Sequence, residues 1–259
     1  MRIATWNVNS LNVRLPQVMD WLANANVDVL ALQELKLTDD KFPHDVFAEA
    51  GYQSACFGQK TYNGVALITR HEISDVVRNL PHFNDEQSRV ITATIQGVRV
   101  IGAYFPNGQA PDSDKFVYKM RWLEAMHQWC ASQLAQHPHT VLLGDFNITR
   151  DDADVWDPVG LANTIHCTPE ERLALQRLLD LGFIDSLREL HPNESIYSWW
   201  DYREFAFRRN RGMRIDHVLI SPDMHNGLIG AEVDKQPRKN ERPSDHAPVI
   251  IDWTPPSAS

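Results

Sequence analysis

Polar side chains that could carry out chemistry stand at or near the ends of the short apolar runs in this sequence. They are Asn7, Glu34, Tyr104, Asp145, Asn147, Asp216, Asp245 and His246. A rigid sheet can present such groups to one cleft from the ends of its strands. Each is commonplace alone: Glu34 would usually be an exposed carboxylate, Asn147 a turn residue and His246 a structural histidine. Their joint occurrence favours a single catalytic cleft.

Hydrolysis of a phosphodiester would use this whole set. A hard cation such as Mg2+, for which Mn2+ can substitute, takes oxygen ligands, and Glu34 and Asp245 suit that role. Asp145, with Asn147 beside it, could orient and deprotonate the attacking water. Charge that grows on the phosphate oxygens needs hydrogen-bond donors. The candidate donors are His246, Asn7, Asn147 and the Tyr104 hydroxyl.

Two other catalytic classes lack the residues that they need. The sequence has no His-Glu-x-x-His stretch and no closely spaced cysteine pair, which disfavours zinc chemistry. It has no nucleophile-elbow sequence to support a covalent serine or cysteine mechanism. A protonated His246 would need a carboxylate to hold its orientation, and Asp216 can serve.

Hydrophobic patterning predicts the elements that must position these residues. Short continuous apolar runs predict strands buried on both faces, and the periodic segments between them predict helices. The predicted strands are Ile3–Trp6, Val29–Leu32, Val65–Ile68, Val98–Ala103, Val141–Leu143, Ile215–Ile220 and Pro248–Ile251, and the predicted helices are Leu15–Leu22, Asp114–Leu134 and Pro169–Leu181. We expect a layered α/β fold in a single domain over residues 1–254, with 255–259 as a disordered tail.

Bulk composition is that of an ordinary globular protein. The net charge of −9 argues against a nucleic-acid binder only if that charge is evenly spread. Cys56, Cys130 and Cys167 have no metal-binding spacing and are expected to be reduced thiols. With no secretory leader and no apolar run of membrane-spanning length, we expect a cytoplasmic protein without membrane contacts.

Six segments resemble, in order, the motif series of the exonuclease III and abasic-site endonuclease family. They are Thr5–Ser10, Leu32–Lys36, Tyr62–Ala66, Gly144–Asn147, Arg214–His217 and Ser244–Pro248. The resemblance covers nearly the whole chain and implies a four-layered α/β sandwich, with two packed mixed β-sheets flanked by helices, as in DNase I. It implies that double-stranded DNA with 3′ ends, nicks or abasic sites is the partner; we expect the protein to be a monomer.

The resemblance also assigns roles to individual residues. Glu34 becomes the main metal ligand, with Asp245 and Asn7 beside the metal. Asp145 becomes the general base, and Asn147 helps Asn7 to position water and phosphate. The remaining assignments are Tyr104 and Asn107 as phosphate or sugar contacts, and His246 as the partner of Asp216.

Residues 199–214 interleave aromatic and basic side chains, as expected of a surface that stacks on bases and binds phosphates. They are Trp199, Trp200, Tyr202, Phe205 and Phe207 with Arg203, Arg208, Arg209, Arg211 and Arg214. Arg208 and Arg209 are the candidate phosphate contacts. The alternative is a half-buried hairpin with a solvated basic face. The resemblance places Trp199, Met213 and Ile215 around a pocket for a flipped-out abasic sugar.

His166 departs from the pattern of the family. Well-known abasic endonucleases carry Gly or Ser two places before the Thr-Pro step, where this chain has an imidazole. At the mouth of the sugar pocket, His166 would obstruct an internal sugar more than a 3′ terminus. The alternative is that His166 points to solvent or helps to cap the following helix.

The expected function is therefore Mg2+-dependent 3′-5′ exonuclease and 3′-end processing of duplex DNA, with weak or absent abasic endonuclease activity. Three alternatives stay open: a full abasic endonuclease, a phosphodiesterase of phosphoinositides or sphingomyelin, and a catalytically dead regulator that binds nucleic acid. The complete set of carboxylates disfavours the regulator. The aromatic and arginine-rich segment favours DNA over lipid headgroups.

Overall fold

The computed structural model describes residues 1–257, which form fourteen strands and five α-helices. The strands are β1 (Arg2–Asn7), β2 (Val29–Gln33), β3 (Gln53–Phe57), β4 (Val65–Thr69), β5 (Ser74–Arg78), β6 (Val90–Ile95), β7 (Val98–Tyr104), β8 (Thr140–Asp145), β9 (Ile184–Asp185), β10 (Trp199–Trp200), β11 (Gly212–Met213), β12 (Asp216–Ile220), β13 (Leu228–Val233) and β14 (Val249–Trp253). The helices are α1 (Leu11–Ala25), α2 (His44–Glu49), α3 (Asp114–Gln136), α4 (Pro169–Asp180) and α5 (Ser186–Leu190).

Two six-stranded sheets lie at the centre of the fold. Their strand orders are β13-β14-β1-β2-β4-β3 and β5-β6-β7-β8-β12-β9, and β10 pairs with β11 in a separate hairpin. Each sheet contains one parallel pair, β1 with β2 and β7 with β8, among antiparallel neighbours. Both sheets are therefore mixed, as predicted.

Alternating side chains of the central strands produce the four layers. In β1, Ile3 packs between the two sheets, while Trp6 packs outward against α1. On the outer face of the second sheet, Leu142 packs with Trp122 of α3 and Leu175 of α4. Central strands are buried on both faces for this reason, which explains their continuous apolar runs. The predicted four-layered α/β sandwich is confirmed.

Local sequence signals set the starts of the two helices behind the second sheet. The Ser113 hydroxyl accepts the N–H of Phe116 (3.2 Å) at the start of α3. The Thr168 hydroxyl accepts the N–H of Glu171 (3.1 Å) at the start of α4, where Pro169 occupies the first helical position. These are the hydroxyl caps and the proline position that favour helix initiation.

The strand pairing brings the polar strand ends to one edge of the sandwich. Asn7 ends β1 next to the end of β2, which Glu34 follows. In the second sheet Asp145 lies opposite Tyr104 of β7 on one side and opposite Asp216 of β12 on the other. The two sheets therefore face each other across these five residues.

Within the described part of the chain, no helix is both long and apolar enough to cross a bilayer. Residues 254–257 are exposed and have no regular secondary structure. Positions 258 and 259 of the predicted disordered tail lie outside the described residues. The division at residue 254 stays a prediction.

Candidate active site

Asn7 joins the two sheets at the centre of the cleft. Its side-chain amide donates to Glu34 Oε2 (2.5 Å) and to Asp145 Oδ2 (2.9 Å). Its Oδ1 accepts the backbone N–H of Asn9 (2.9 Å), which fixes which end of the amide faces the carboxylates. In this orientation Asn7 presents hydrogen-bond donors, and its predicted role as a metal ligand would require the amide to turn.

Glu34, Asp145 and His246 could hold a metal ion, because each offers one ligand atom within 4.8 Å of the others. The two carboxylates suit a hard cation. The Glu34 side chain is 19% exposed, so its carboxylate is open to the cleft. The donor set therefore fits a divalent cation held chiefly by the oxygens of Glu34, with Asp145 beside it.

Asp245, which we predicted to lie near the metal, is outside this three-residue cluster. Its Oδ2 accepts from Trp199 Nε1 (3.0 Å), and its Oδ1 accepts from Asn9 Nδ2 (3.4 Å). Asn9 Oδ1 in turn accepts a hydrogen bond from the Lys36 ammonium group (2.7 Å). Asp245 thus links the cleft to the aromatic wall at Trp199.

His246 carries a positive charge that two carboxylates stabilise. Its Nδ1 lies 2.8 Å from Asp216 Oδ2, and its Nε2 lies 3.5 Å from Asp145 Oδ2. Burial disfavours the charge, but Asp216 and Asp145 outweigh it and raise the pKa of His246 to about 10. Ser198 also donates to Asp216 Oδ2 (2.7 Å), which fixes the carboxylate that orients the imidazole.

Asp145 is placed to act as a base. Its Oδ1 accepts the N–H of Asn147 (2.9 Å), whose left-handed backbone (φ 50°) turns the chain back over the strand end. Burial raises the pKa of Asp145 to about 7, although the charge of His246 opposes the shift; Asp216 and Glu34 add to it. A carboxylate with this pKa can accept a proton from water near neutral pH.

Asn147, Asn107 and Tyr104 lie beside Asp145 at the same end of the second sheet. Asn147 Nδ2 donates to Phe105 O (2.9 Å), and Asn107 Nδ2 lies 3.4 Å from Asn147 Oδ1. The Arg89 guanidinium lies 5.1 Å from the centre of the Tyr104 ring. Burial, reinforced by the nearby carboxylates, raises the pKa of Tyr104 well above its usual value, so its hydroxyl remains a donor.

Trp199, Met213 and Ile215 lie together, as the resemblance implied. They pack in one apolar cluster with Val155 and Cys167. A cleft of about 370 Å³ opens along Trp199 and Met213. This cleft adjoins the catalytic cluster through the bond from Trp199 to Asp245.

His166 does not stand at the mouth of this cleft. His166 is only 8% exposed, and its Nδ1 lies 2.7 Å from the carbonyl oxygen of Asn147. Burial and the Lys119 charge lower the pKa of His166 to about 3, so the ring is neutral. The imidazole therefore lies beneath the Asn147 turn rather than in solvent, and the adjoining Cys167 packs in the apolar cluster with Met213 and Ile215.

The aromatic and basic segment is partly core and partly surface. Trp200 is fully buried, whereas Phe205 is 69% exposed and Tyr202 is 51% exposed. Arg208 and Arg209 are exposed in the segment between β10 and β11. Their predicted phosphate contacts stay a prediction.

Comparison with known proteins agrees with this geometry. The model of the endonuclease/exonuclease/phosphatase family matches residues 4–246. The chain belongs to this family. It is 34% identical to exodeoxyribonuclease III of Haemophilus influenzae, over 98% of this chain and 100% of that protein. This places it in the exonuclease III and abasic-site endonuclease branch of the family.

Two solved structures of the family share the fold over 98% of this chain and 99% of theirs. One is a 3′ phosphatase from Neisseria bound to a product DNA hairpin, with 50% sequence identity and a TM-score of 0.97. The other is an abasic-site endonuclease from Archaeoglobus fulgidus, with 37% identity and a TM-score of 0.95. The family confirms the resemblance that the six motifs indicated.

Proposed function

We propose that this chain is a Mg2+-dependent DNA repair phosphodiesterase of the exonuclease III type that acts mainly at 3′ ends. The observation that carries the proposal is one cleft in which two carboxylates, Glu34 and Asp145, lie next to the imidazolium of His246. Its relatives include an exodeoxyribonuclease, a 3′ phosphatase and an abasic-site endonuclease. All three enzymes hydrolyse phosphate esters of DNA.

Glu34 would be the main protein ligand of the metal ion, with water and phosphate oxygens completing its coordination. Once bound, the ion would neutralise charge on the phosphate and act as a Lewis acid. Oxygen donors match the preference of Mg2+, and Mn2+ would be expected to substitute. Glu34, whose side chain is 19% exposed, is the ligand on which occupancy of the metal site would chiefly depend.

Proton transfer and charge stabilisation fall to the remaining residues. Asp145 would take a proton from the attacking water, which the Asn147 amide helps to orient. His246 Nε2, 3.5 Å from Asp145, is free to donate to a phosphate oxygen because Asp216 occupies Nδ1. Tyr104 would supply a neutral hydroxyl donor to the same phosphate.

The preference for 3′ ends rests on His166. A hydrogen bond to Asn147 and burial both hold this ring in place. An internal abasic sugar must be extruded from a continuous duplex, at a cost of a few kcal/mol. Because the ring lies beneath the Asn147 turn, it would restrict an internal sugar by holding that turn in place, which Gly or Ser would not do. A terminal nucleotide needs less extrusion, since the chain ends there.

The second candidate function is full abasic-site endonuclease activity. The observation in its favour is the apolar cleft of about 370 Å³ beside Trp199 and Met213, which could receive a base-free sugar. The relative from Archaeoglobus fulgidus is an abasic-site endonuclease. This second function predicts fast cleavage at an internal abasic site, whereas the first predicts slow cleavage there.

The protein would act as a monomer in the cytoplasm. The proposed catalytic residues contact one another within a single chain, which supports a monomer. Cys56, Cys130 and Cys167 are all free and buried, which suits a reducing compartment.

A metal-dependence assay on a 3′-recessed duplex tests the proposal. Hydrolysis should require Mg2+ or Mn2+ and stop with a chelator. A phospholipid headgroup offered under the same conditions should remain intact. DNA binding without hydrolysis at any metal concentration would instead support the catalytically dead regulator.

A further inference from the structure

Lys119 is buried directly behind the catalytic cleft. Its side chain lies on α3 and is fully inaccessible to solvent, as is that of Glu171 on α4. The ammonium donates to Glu171 Oε2 (2.7 Å), to the carbonyl oxygen of Asn147 (2.8 Å) and to that of Asn107 (3.1 Å). All three ammonium protons of Lys119 therefore have acceptors.

Glu171 is held as completely as Lys119. Its two carboxylate oxygens accept the backbone N–H of His166 (3.0 Å) and its Oε1 accepts the Thr168 hydroxyl (2.9 Å). The His166 ring then approaches the Asn147 carbonyl oxygen, at 2.7 Å. A carbonyl oxygen can only accept hydrogen bonds. His166 Nδ1 therefore carries a proton and donates it to the Asn147 oxygen, as the Lys119 ammonium does.

The acceptors that Lys119 reaches belong to the two loops that line the cleft. Asn107 follows β7 and Asn147 follows β8, and the side-chain amides of the two residues lie 3.4 Å apart. Asn147 has a left-handed backbone (φ 50°), a conformation that needs support from its surroundings. The aliphatic part of the Lys119 side chain packs closely under the loop that contains Asn107. A Cβ at the neighbouring Gly108 would lie 3.0 Å from Lys119 Cδ.

A buried ion pair is a weak source of stability, because desolvation of both charges offsets their attraction. An apolar pair could fill this space, but it could not donate to two carbonyl groups on separate loops. We propose that Lys119 and Glu171 are positioning residues that lock the Asn107 and Asn147 turns so that both amides face the scissile phosphate. This inference rests on the proposed function, since the phosphate is the group that these amides would contact.

The test replaces both charges at once, in Lys119→Met with Glu171→Gln, so that no lone charge is left buried. The matched control is Arg99→Met. Arg99 is also a buried cation bound to α3, through Gln133 (2.7 Å), but Gln133 is about 21 Å along the helix from Lys119. The control should lose stability without disturbing the cleft loops.

Thermal unfolding, kcat, KM and the metal-free Kd for DNA would be measured on full-length protein, with a 3′-phosphate duplex and Mg2+. We expect kcat of the double variant to fall about 10- to 100-fold, with KM and Kd changed less than about three-fold. Arg99→Met should keep the wild-type kcat at temperatures where it is folded. The side-chain amide signals of Asn107 and Asn147 in 1H–15N spectra should shift only in the double variant.

A folded double variant with wild-type kcat and unshifted amide signals would overturn the positioning role and leave the proposed function intact. If the wild-type protein does not hydrolyse DNA, the proposed function fails, and the amide signals alone decide whether the ion pair positions the loops. If the double variant does not fold, Lys119→Gln with Glu171→Gln, which puts a shorter neutral amide where the ammonium bridges the two carbonyl groups, takes its place. Wild-type kcat and amide signals in that variant would likewise refute the role.

Discussion

His246 Nδ1 lies 2.8 Å from Asp216 Oδ2, within the protein and out of contact with solvent. The bond leaves Nε2 as the only ring nitrogen that can face a substrate. A second bond, from Ser198 to the same Asp216 oxygen (2.7 Å), holds the carboxylate in place. In the proposed reaction, the pair would therefore act through both the charge and the orientation of His246.

Removal of the Asp216 charge should change the pH dependence of kcat. The pKa of His246 is about 10 because Asp216 and Asp145 outweigh the effect of burial, so the charged donor persists below that pH and is lost above it. In Asp216→Asn the pKa of His246 should fall, and the alkaline limb of the kcat profile should move down by at least about one pH unit. Ser198→Ala, which keeps the carboxylate, should move it less. Identical alkaline limbs in wild type and Asp216→Asn would contradict the pairing.

Glu34→Gln should remove hydrolysis with either Mg2+ or Mn2+. The amide keeps the shape of the side chain but loses the charge that attracts the cation. We expect kcat/KM below about 1% of the wild-type value, and a parallel loss of metal binding in calorimetry. Glu49→Gln, at the exposed end of α2, is the matched control. If Glu34→Gln kept more than a few per cent of the activity, another residue would have to be the principal ligand.

DNA affinity should fall steeply with salt despite the net charge of −9, because bound phosphates release their counterions. Replacement of Arg208 and Arg209 by Ala should flatten the plot of log K against log salt by about one per lost phosphate contact. Arg177→Ala is the control, since this exposed arginine already pairs with Glu124 (2.7 Å). An unchanged slope in the double variant would mean that the turn is a solvated face.

His166→Ser should release the Asn147 turn from the imidazole that holds it. We expect the ratio of the abasic-site rate to the 3′-phosphate rate to rise by about ten-fold or more, equivalent to at least 1.4 kcal/mol in relative barrier height. The ratio is the proper readout, since His166 also donates to the Asn147 carbonyl group. His191→Ser, which alters a half-buried histidine on the loop after α5, is the control. No change in the ratio would show that His166 has no part in the choice of substrate.

Much of the sandwich could be predicted because its central strands are buried on both faces. The strands that patterning did not predict include β3, β5 and β13, which lie at or near sheet edges and expose part of their side chains. Partial exposure interrupts an apolar run with polar residues, so the signal weakens. The strand ends that carry the candidate catalytic residues could be predicted because each follows an uninterrupted apolar run.

The supporting contacts of the site were harder to predict. Lys119 interrupts the apolar face of α3, between Phe116 and Leu123, which is a visible sign that it is buried. Its partner Glu171 lies 52 residues away, and no local pattern joins the two. His166 shows the same limit: its departure from the family was visible in sequence, but its inward orientation depends on the distant Asn147 turn.

The most direct measurement compares three duplexes side by side at one Mg2+ concentration: one with a 3′ phosphate, one with a nick and one with an internal abasic site. We expect metal-dependent release at both 3′ ends, at least about ten-fold faster than cleavage at the abasic site, which corresponds to a difference in barrier of about 1.4 kcal/mol. Abasic-site cleavage as fast as 3′-end processing would contradict the proposed preference, and no metal-dependent hydrolysis of any of the three would contradict the proposed function.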